Sequence, residues 1–180
     1  MNATESKTVN TADKPEQDCG PKIEPQKEHQ WLQRLVGDWT CEGEAMMKPG
    51  EPSIKWKATE TVRSIGGLWV VGEGKGETPG GGESITMVTL GYDSQKKRYV
   101  GSFVGSMMTN LWVYEGQLDA QEKVLTLDTE GPAMGGGAKT AKYRDIVEIK
   151  SEDHRVLSSV VQGEDGNWHE VMRANYYRAK

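Results

Sequence analysis

Two carboxylates stand where apolar side chains belong. In the segment 54–63, Ile54, Trp56, Ala58 and Val62 alternate with Lys55, Lys57, Thr59, Thr61 and Arg63, and Glu60 occupies a place on the apolar face. Asp145 does the same between Tyr143 and Val147, on a face shared with Ala141 and Ile149. Successive strand residues point to opposite faces, so both carboxyls are directed toward an interior. A carboxylate there needs a partner or a raised pKa. Such a group can fix the polar part of a ligand or act as a general base. The plainer alternative is that each sits hydrated near the end of its strand, or pairs with an Arg or Tyr.

Other chemistry is thin. His29, His154 and His169 are scattered over helix, turn and strand, so no metal-ligand cluster forms. There is no nucleophile elbow. The glycines at 76–82 precede a strand rather than a helix and fail the context of a phosphate-binding loop. No catalytic residue, metal or cofactor is therefore assigned, and the balance leans away from an enzyme. The net charge is −5, and no Lys/Arg run is longer than Lys96-Lys97-Arg98, which excludes a nucleic-acid partner. Cys19 and Cys41 are expected as free thiols, which implies a reducing compartment. Residues 1–28 lack an apolar signal-peptide core, and no apolar run approaches a membrane span. The expectation is a cytoplasmic protein with no membrane partner.

The elements that position these residues are mostly strands. Residues 1–24 contain only Val9 and Ile23 as aliphatic side chains larger than Ala. Such a segment cannot offset its ordering entropy and is expected to be disordered, leaving 25–180 as the folded domain. Trp31, Leu32, Leu35 and Val36 then form one helical stripe, with Pro25 near its start and Gly37 closing it. Ten strand-like segments follow, at about 38–47, 54–63, 68–75, 85–92, 98–106, 109–117, 123–130, 140–150, 155–162 and 168–178. The 22 glycines supply turns and disfavour helix. With no long crossover between segments, sequential hairpins make an up-and-down antiparallel meander. Closing it into a barrel of about ten strands removes the exposed edges and leaves room for a small ligand.

In such a meander, alternate connections emerge at the same end. One end gathers the Gly-rich stretches 78–82 and 132–137 together with Met46, Met47, Met107, Met108 and Met134. Adaptable methionines and glycine loops mark it as the mouth. The helix caps the other end. The interior is expected to take Trp56, Met87, Phe103, Leu125, Leu127, Tyr143, Trp168 and Met172, with Trp112 or its neighbours Leu111 and Val113. The ligand-binding set is thus Trp56, Glu60, Met87, Phe103, Trp112, Tyr143, Asp145, Trp168 and Met172. The partner implied is a small apolar or amphipathic molecule; the alternative is an enzyme using an interior carboxylate as acid or base.

Two sets of motifs carry a family resemblance. Gly37-Asp38-Trp39 resembles the G-x-W start of lipocalin-like barrels, and Tyr176-Tyr177-Arg178 resembles their closing strand. Gly66-Gly67-Leu68, Leu90-Gly91-Tyr92-Asp93 and Lys97-Arg98-Tyr99-Val100 resemble a bacterial family of unknown function, the domain numbered 1579. The resemblance spans roughly residues 28–180. It implies a calycin-like barrel and no established activity. Distant relatives of nitrobindin type imply a haem ligand on the last strand, near His169. Strand parity argues against it, because Trp168, Met172, Ala174 and Tyr176 share the apolar face and His169 has the opposite parity unless a bulge intervenes.

Overall fold

A computed structural model describes residues 23–46, 52–77, 81–134 and 139–180. Residues 1–22 of the tail expected to be disordered, including Cys19, lie outside the described residues, as do Met47 and parts of the Gly-rich loops. A short helix α1 (Lys27–Leu32) runs into a single 3₁₀ turn (Gln33–Leu35). Ten strands follow: β1 (Gly37–Ala45), β2 (Ile54–Ile65), β3 (Trp69–Glu77), β4 (Glu83–Asp93), β5 (Arg98–Gly105), β6 (Trp112–Leu118), β7 (Val124–Pro132), β8 (Thr140–Ser151), β9 (His154–Gln162) and β10 (Trp168–Arg178). Each pairs antiparallel with its neighbours in sequence, and β1 pairs with β10, so the sheet closes into a barrel. This is the expected meander. Among the described residues, no helix is long and apolar enough to cross a membrane.

The helix forms because it plugs an open end. Its apolar stripe places Trp31, Leu32 and Leu35 in the same buried cluster as Trp39, Val62, Val70, Leu90, Tyr99 and Leu125. The indole N–H of Trp31 donates to the Glu122 carbonyl at 2.8 Å, so its polar edge is satisfied as well. His29 is buried with both ring nitrogens in use. Nδ1 accepts from the Gln26 backbone N–H at 3.0 Å, which leaves Nε2 to donate to the Tyr92 carbonyl at 3.2 Å. It serves as a helix anchor.

The seam between β1 and β10 explains the Gly-x-Trp start. Trp39 lies opposite Arg178, and its ring is 2% exposed. The Arg178 guanidinium stacks over that ring at 4.3 Å, inside the distance limit of a cation–π contact. Its Nη1 also donates to the Val36 carbonyl at 2.8 Å, tying the last strand to the helix exit. Gly37 makes the passage possible. It sits at φ +132°, and a Cβ there would fall 2.3 Å from Arg178 Nη1. Gly37→Ala should therefore displace the guanidinium and strain the backbone. The expected result is a melting temperature lower by several degrees, with a less than additive loss when Gly37→Ala is combined with Arg178→Ala, since the clash is gone and only the backbone strain remains.

Candidate functional site

The barrel encloses a cavity of about 400 Å³. Its walls are apolar over most of their height. Val62, Val70, Val88, Leu90, Leu127, Val147 and Leu157 line it, together with Phe103 and Trp112. Met46, Met108, Met134 and Met172 also border it. Met46 follows β1, Met108 follows β5 and Met134 follows β7, so these three stand at the end expected to be the mouth. Leu35 closes the helix end.

Two polar clusters interrupt this lining. The first is Glu60 on β2 with Arg155 on β9. They form a salt bridge with side chains only 14% and 9% exposed. Arg155 is further clamped between rings, 4.6 Å over Trp39 and 4.5 Å over Tyr176. Its Nε is buried without a hydrogen-bond partner. Beside the pair, the Cys41 thiol shares a hydrogen bond with the Tyr176 hydroxyl. Cys41 is a free, buried thiol, and burial pushes its pKa up to about 11, so it is a protonated core residue rather than a nucleophile.

The second cluster is Asp145 on β8. The Tyr114 hydroxyl donates to Oδ2 at 2.5 Å, and the Ser159 hydroxyl donates to Oδ1. Burial holds the Asp145 pKa above the ordinary carboxylate range, and the two hydroxyl bonds lower it only in part. Arg155 and Ser159 share β9 four residues apart, so the clusters are separated by about 13 Å along the barrel wall.

Six of the nine residues read from sequence as ligand contacts line this cavity: Glu60, Phe103, Trp112, Tyr143, Asp145 and Met172. Trp112 faces inward, while Leu111 and Val113 are 57% and 61% exposed. Its ring meets Tyr143 edge-on at 5.0 Å. Tyr143 in turn donates its hydroxyl to the Pro132 carbonyl at 2.6 Å.

Three residues are corrected. Met87 points outward and is 41% exposed, because Thr86, Val88 and Leu90 are the inward positions of β4. Trp168 lies outside, with Arg144 stacked over its ring at 4.1 Å. The cause is a register shift between Glu170 and Met172, which inverts the parity of everything before it on β10. Trp56 pairs with Gly43 and its ring covers that glycine, which offers no side chain to hold it upright. It borders a separate groove with Lys55, Lys57 and Lys75 instead of the cavity.

The same shift returns His169 to the register of Val161 and Tyr143. Even so it does not reach the cavity. Its side chain is 55% exposed, and Nε2 meets Asp165 Oδ1 at 3.3 Å in the β9–β10 turn. A haem ligand would have to stand free at the cavity wall, so His169 does not fit that role. Among the described residues, no group of three His, Cys, Asp or Glu side chains is placed to hold a metal ion.

Arg155, Tyr114 and Ser159 were not anticipated from sequence. A signal for Arg155 did exist. Ile149 shares the inward face of Tyr143 and Val147, and the tight β8–β9 turn pairs Ile149 with Arg155. Cross-strand partners share a face, so Arg155 had to point in.

This interior has a pH signature. Burial raises the pKa of Tyr99, Tyr114, Tyr143 and Tyr176, as well as that of Cys41. The folded state then keeps protons that the unfolded chain loses above its ordinary values of 9.0 for Cys and 10.0 for Tyr. Stability from these groups is complete below those values and falls as pH rises through them. The urea midpoint should hold between pH 7 and 8.5 and drop steeply above about pH 9.5. Tyr114→Phe should make that alkaline fall shallower.

Comparison with known proteins places the chain in this fold. No curated protein sequence matches it. Among solved structures, Rv2717c from M. tuberculosis matches with a TM-score of 0.58 and 12% identity, over 87% of this chain and 100% of that one. The S-type phycobiliprotein lyase CPES from Guillardia theta matches with a TM-score of 0.54 and 12% identity, over 87% and 99%. At that identity the likeness is one of fold. The family model for proteins of unknown function DUF1579 matches residues 24–178. The chain therefore belongs to the DUF1579 family.

Proposed function

We propose that this protein binds a small apolar or amphipathic molecule inside the barrel. The observation that carries the reading is the cavity itself: about 400 Å³, walled mostly by aliphatic and aromatic side chains, with the charged side chains confined to two clusters. Binding sites for small molecules have this size and this pattern of apolar walls with few convergent polar groups. The structural likeness to a phycobiliprotein lyase is compatible with it. An acid/base enzyme is supported less well. Glu60 is committed to Arg155, and Asp145 is held by two hydroxyls, so no second free carboxyl is paired with it.

The test is titration with a neutral apolar fluorophore, N-phenyl-1-naphthylamine. Saturable one-to-one enhancement is expected. Val88→Trp, which puts an indole into the cavity, should abolish the enhancement while shifting the melting temperature by only a few degrees. Non-saturable enhancement, or enhancement unchanged in Val88→Trp, would place the dye elsewhere and remove the basis of the reading.

A further inference from the structure

We propose that the ligand presents a protonated amine or amidine on an apolar body, and that Asp145 is the group that receives it. This rests on the cavity being a binding site. An ionised carboxylate offers about four lone-pair positions. Among the described residues, the hydroxyls of Tyr114 and Ser159 are the hydrogen-bond partners of Asp145, one on each oxygen. Each oxygen thus keeps acceptor capacity, and a forked N–H donor can use both oxygens at once.

The charges around the cavity point the same way. From β2 comes Glu60 and from β9 Arg155, and these neutralise each other. Glu60 neutralises Arg155 and takes its Nη2, and Trp39 and Tyr176 pack on the two faces of the guanidinium, so the pair presents no net charge to an anion. Its unpartnered Nε is a single donor inside an already neutral pair. From β6, β8 and β10 come Tyr114, Tyr143 and Tyr176, all held neutral by burial. Among the acidic and basic side chains on the described cavity wall, Glu60, Asp145 and Arg155, Asp145 is the one without an ionic partner.

A buried carboxylate with no cation is disfavoured, and burial accordingly raises the Asp145 pKa. A ligand cation supplies the missing charge and favours the ionised carboxylate. The wall nearby suits a cation in a second way. Trp112, Tyr143, Tyr114 and Phe103 line the same cavity, and aromatic faces attract ammonium and amidinium groups. An anionic ligand of the same shape would meet the opposite of what it needs.

The experiment is calorimetric titration of the full chain at pH 7.5 with n-octylamine, n-octanol and sodium octanoate. Octylamine should bind roughly tenfold or more tightly than octanol, as hydrogen bonds to charged groups imply, and octanoate more weakly than octanol. Asp145→Asn should bring octylamine down to the level of octanol. If that variant does not fold, the wild-type preference for octylamine over octanol should itself decline as the pH is lowered and Asp145 takes up a proton, while octanol binding stays level. Equal binding of octylamine and octanol, or a preference that Asp145→Asn leaves intact, would overturn this inference while leaving the binding cavity standing. Failure of all three probes to bind would overturn both.

Discussion

Arg155→Met should destabilise the fold by about 3–5 kcal/mol, as removal of one partner from a buried ion pair does. Glu60 would be left beside apolar walls with no cation, since its salt bridge is to Arg155. Two ring contacts, to Trp39 and Tyr176, would be lost as well. For a chain of this size the melting temperature should fall by on the order of 10 °C. The double variant Glu60→Leu/Arg155→Met separates the causes. Replacing both members of a buried pair by apolar residues is often neutral, so the double variant should recover most of the loss. Urea denaturation of the wild type, the two single variants Glu60→Leu and Arg155→Met, and the double variant completes the cycle. A single-variant loss below about 1 kcal/mol would show that water reaching through the cavity already solvates Glu60.

Trp39→Ala should cost about 3–5 kcal/mol, the usual range for emptying a buried aromatic site. The ring fills the space under the helix, and its N–H donates to the Leu35 carbonyl at 2.9 Å. Both Arg155 and Arg178 lie over it, at 4.6 and 4.3 Å. Arg178→Ala should cost less, and Arg178→Lys less again. Lys keeps the charge and much of the stem but cannot stack as a plane or donate at once to Val36 and Glu152. Equal losses for Arg178→Lys and Arg178→Ala would mean that stacking and the forked hydrogen bonds carry the effect, and charge does not. Equal stability of Arg178→Lys and wild type would assign the effect to charge and stem.

The barrel was legible because its signals repeat. Each strand carries alternation, each connection carries turn residues, and the first and last strands carry the Trp and Arg that meet at the seam. The inward carboxylates were legible for the same reason, since Glu60 and Asp145 break otherwise apolar faces. What failed was parity wherever both faces of a strand were apolar or the register slipped. On β4 the outward Ile85 and Met87 are as hydrophobic as the inward Val88 and Leu90, so alternation could not choose between them. On β10 a single extra residue turned Trp168 outward. Trp56 was lost to a glycine partner that only the register reveals. The partners of the carboxylates are a further step removed. Tyr114 and Ser159 come from β6 and β9, and nothing local to Asp145 marks them.

The seam between β1 and β10 also dictates the order of assembly. Every other pairing joins strands adjacent in sequence and can form as a local hairpin. The β1–β10 pairing alone joins the two ends of the domain, and the Trp39–Arg178 contact lies within it. During synthesis, β1 and whichever strand has most recently emerged are unpaired edges, open to pairing with another chain. The open intermediate persists until the last strand arrives, and closing so long a loop is an entropically costly step. The contact that seals the finished barrel is therefore also the last that folding can make, and the nascent chain is most exposed to aggregation just before it forms.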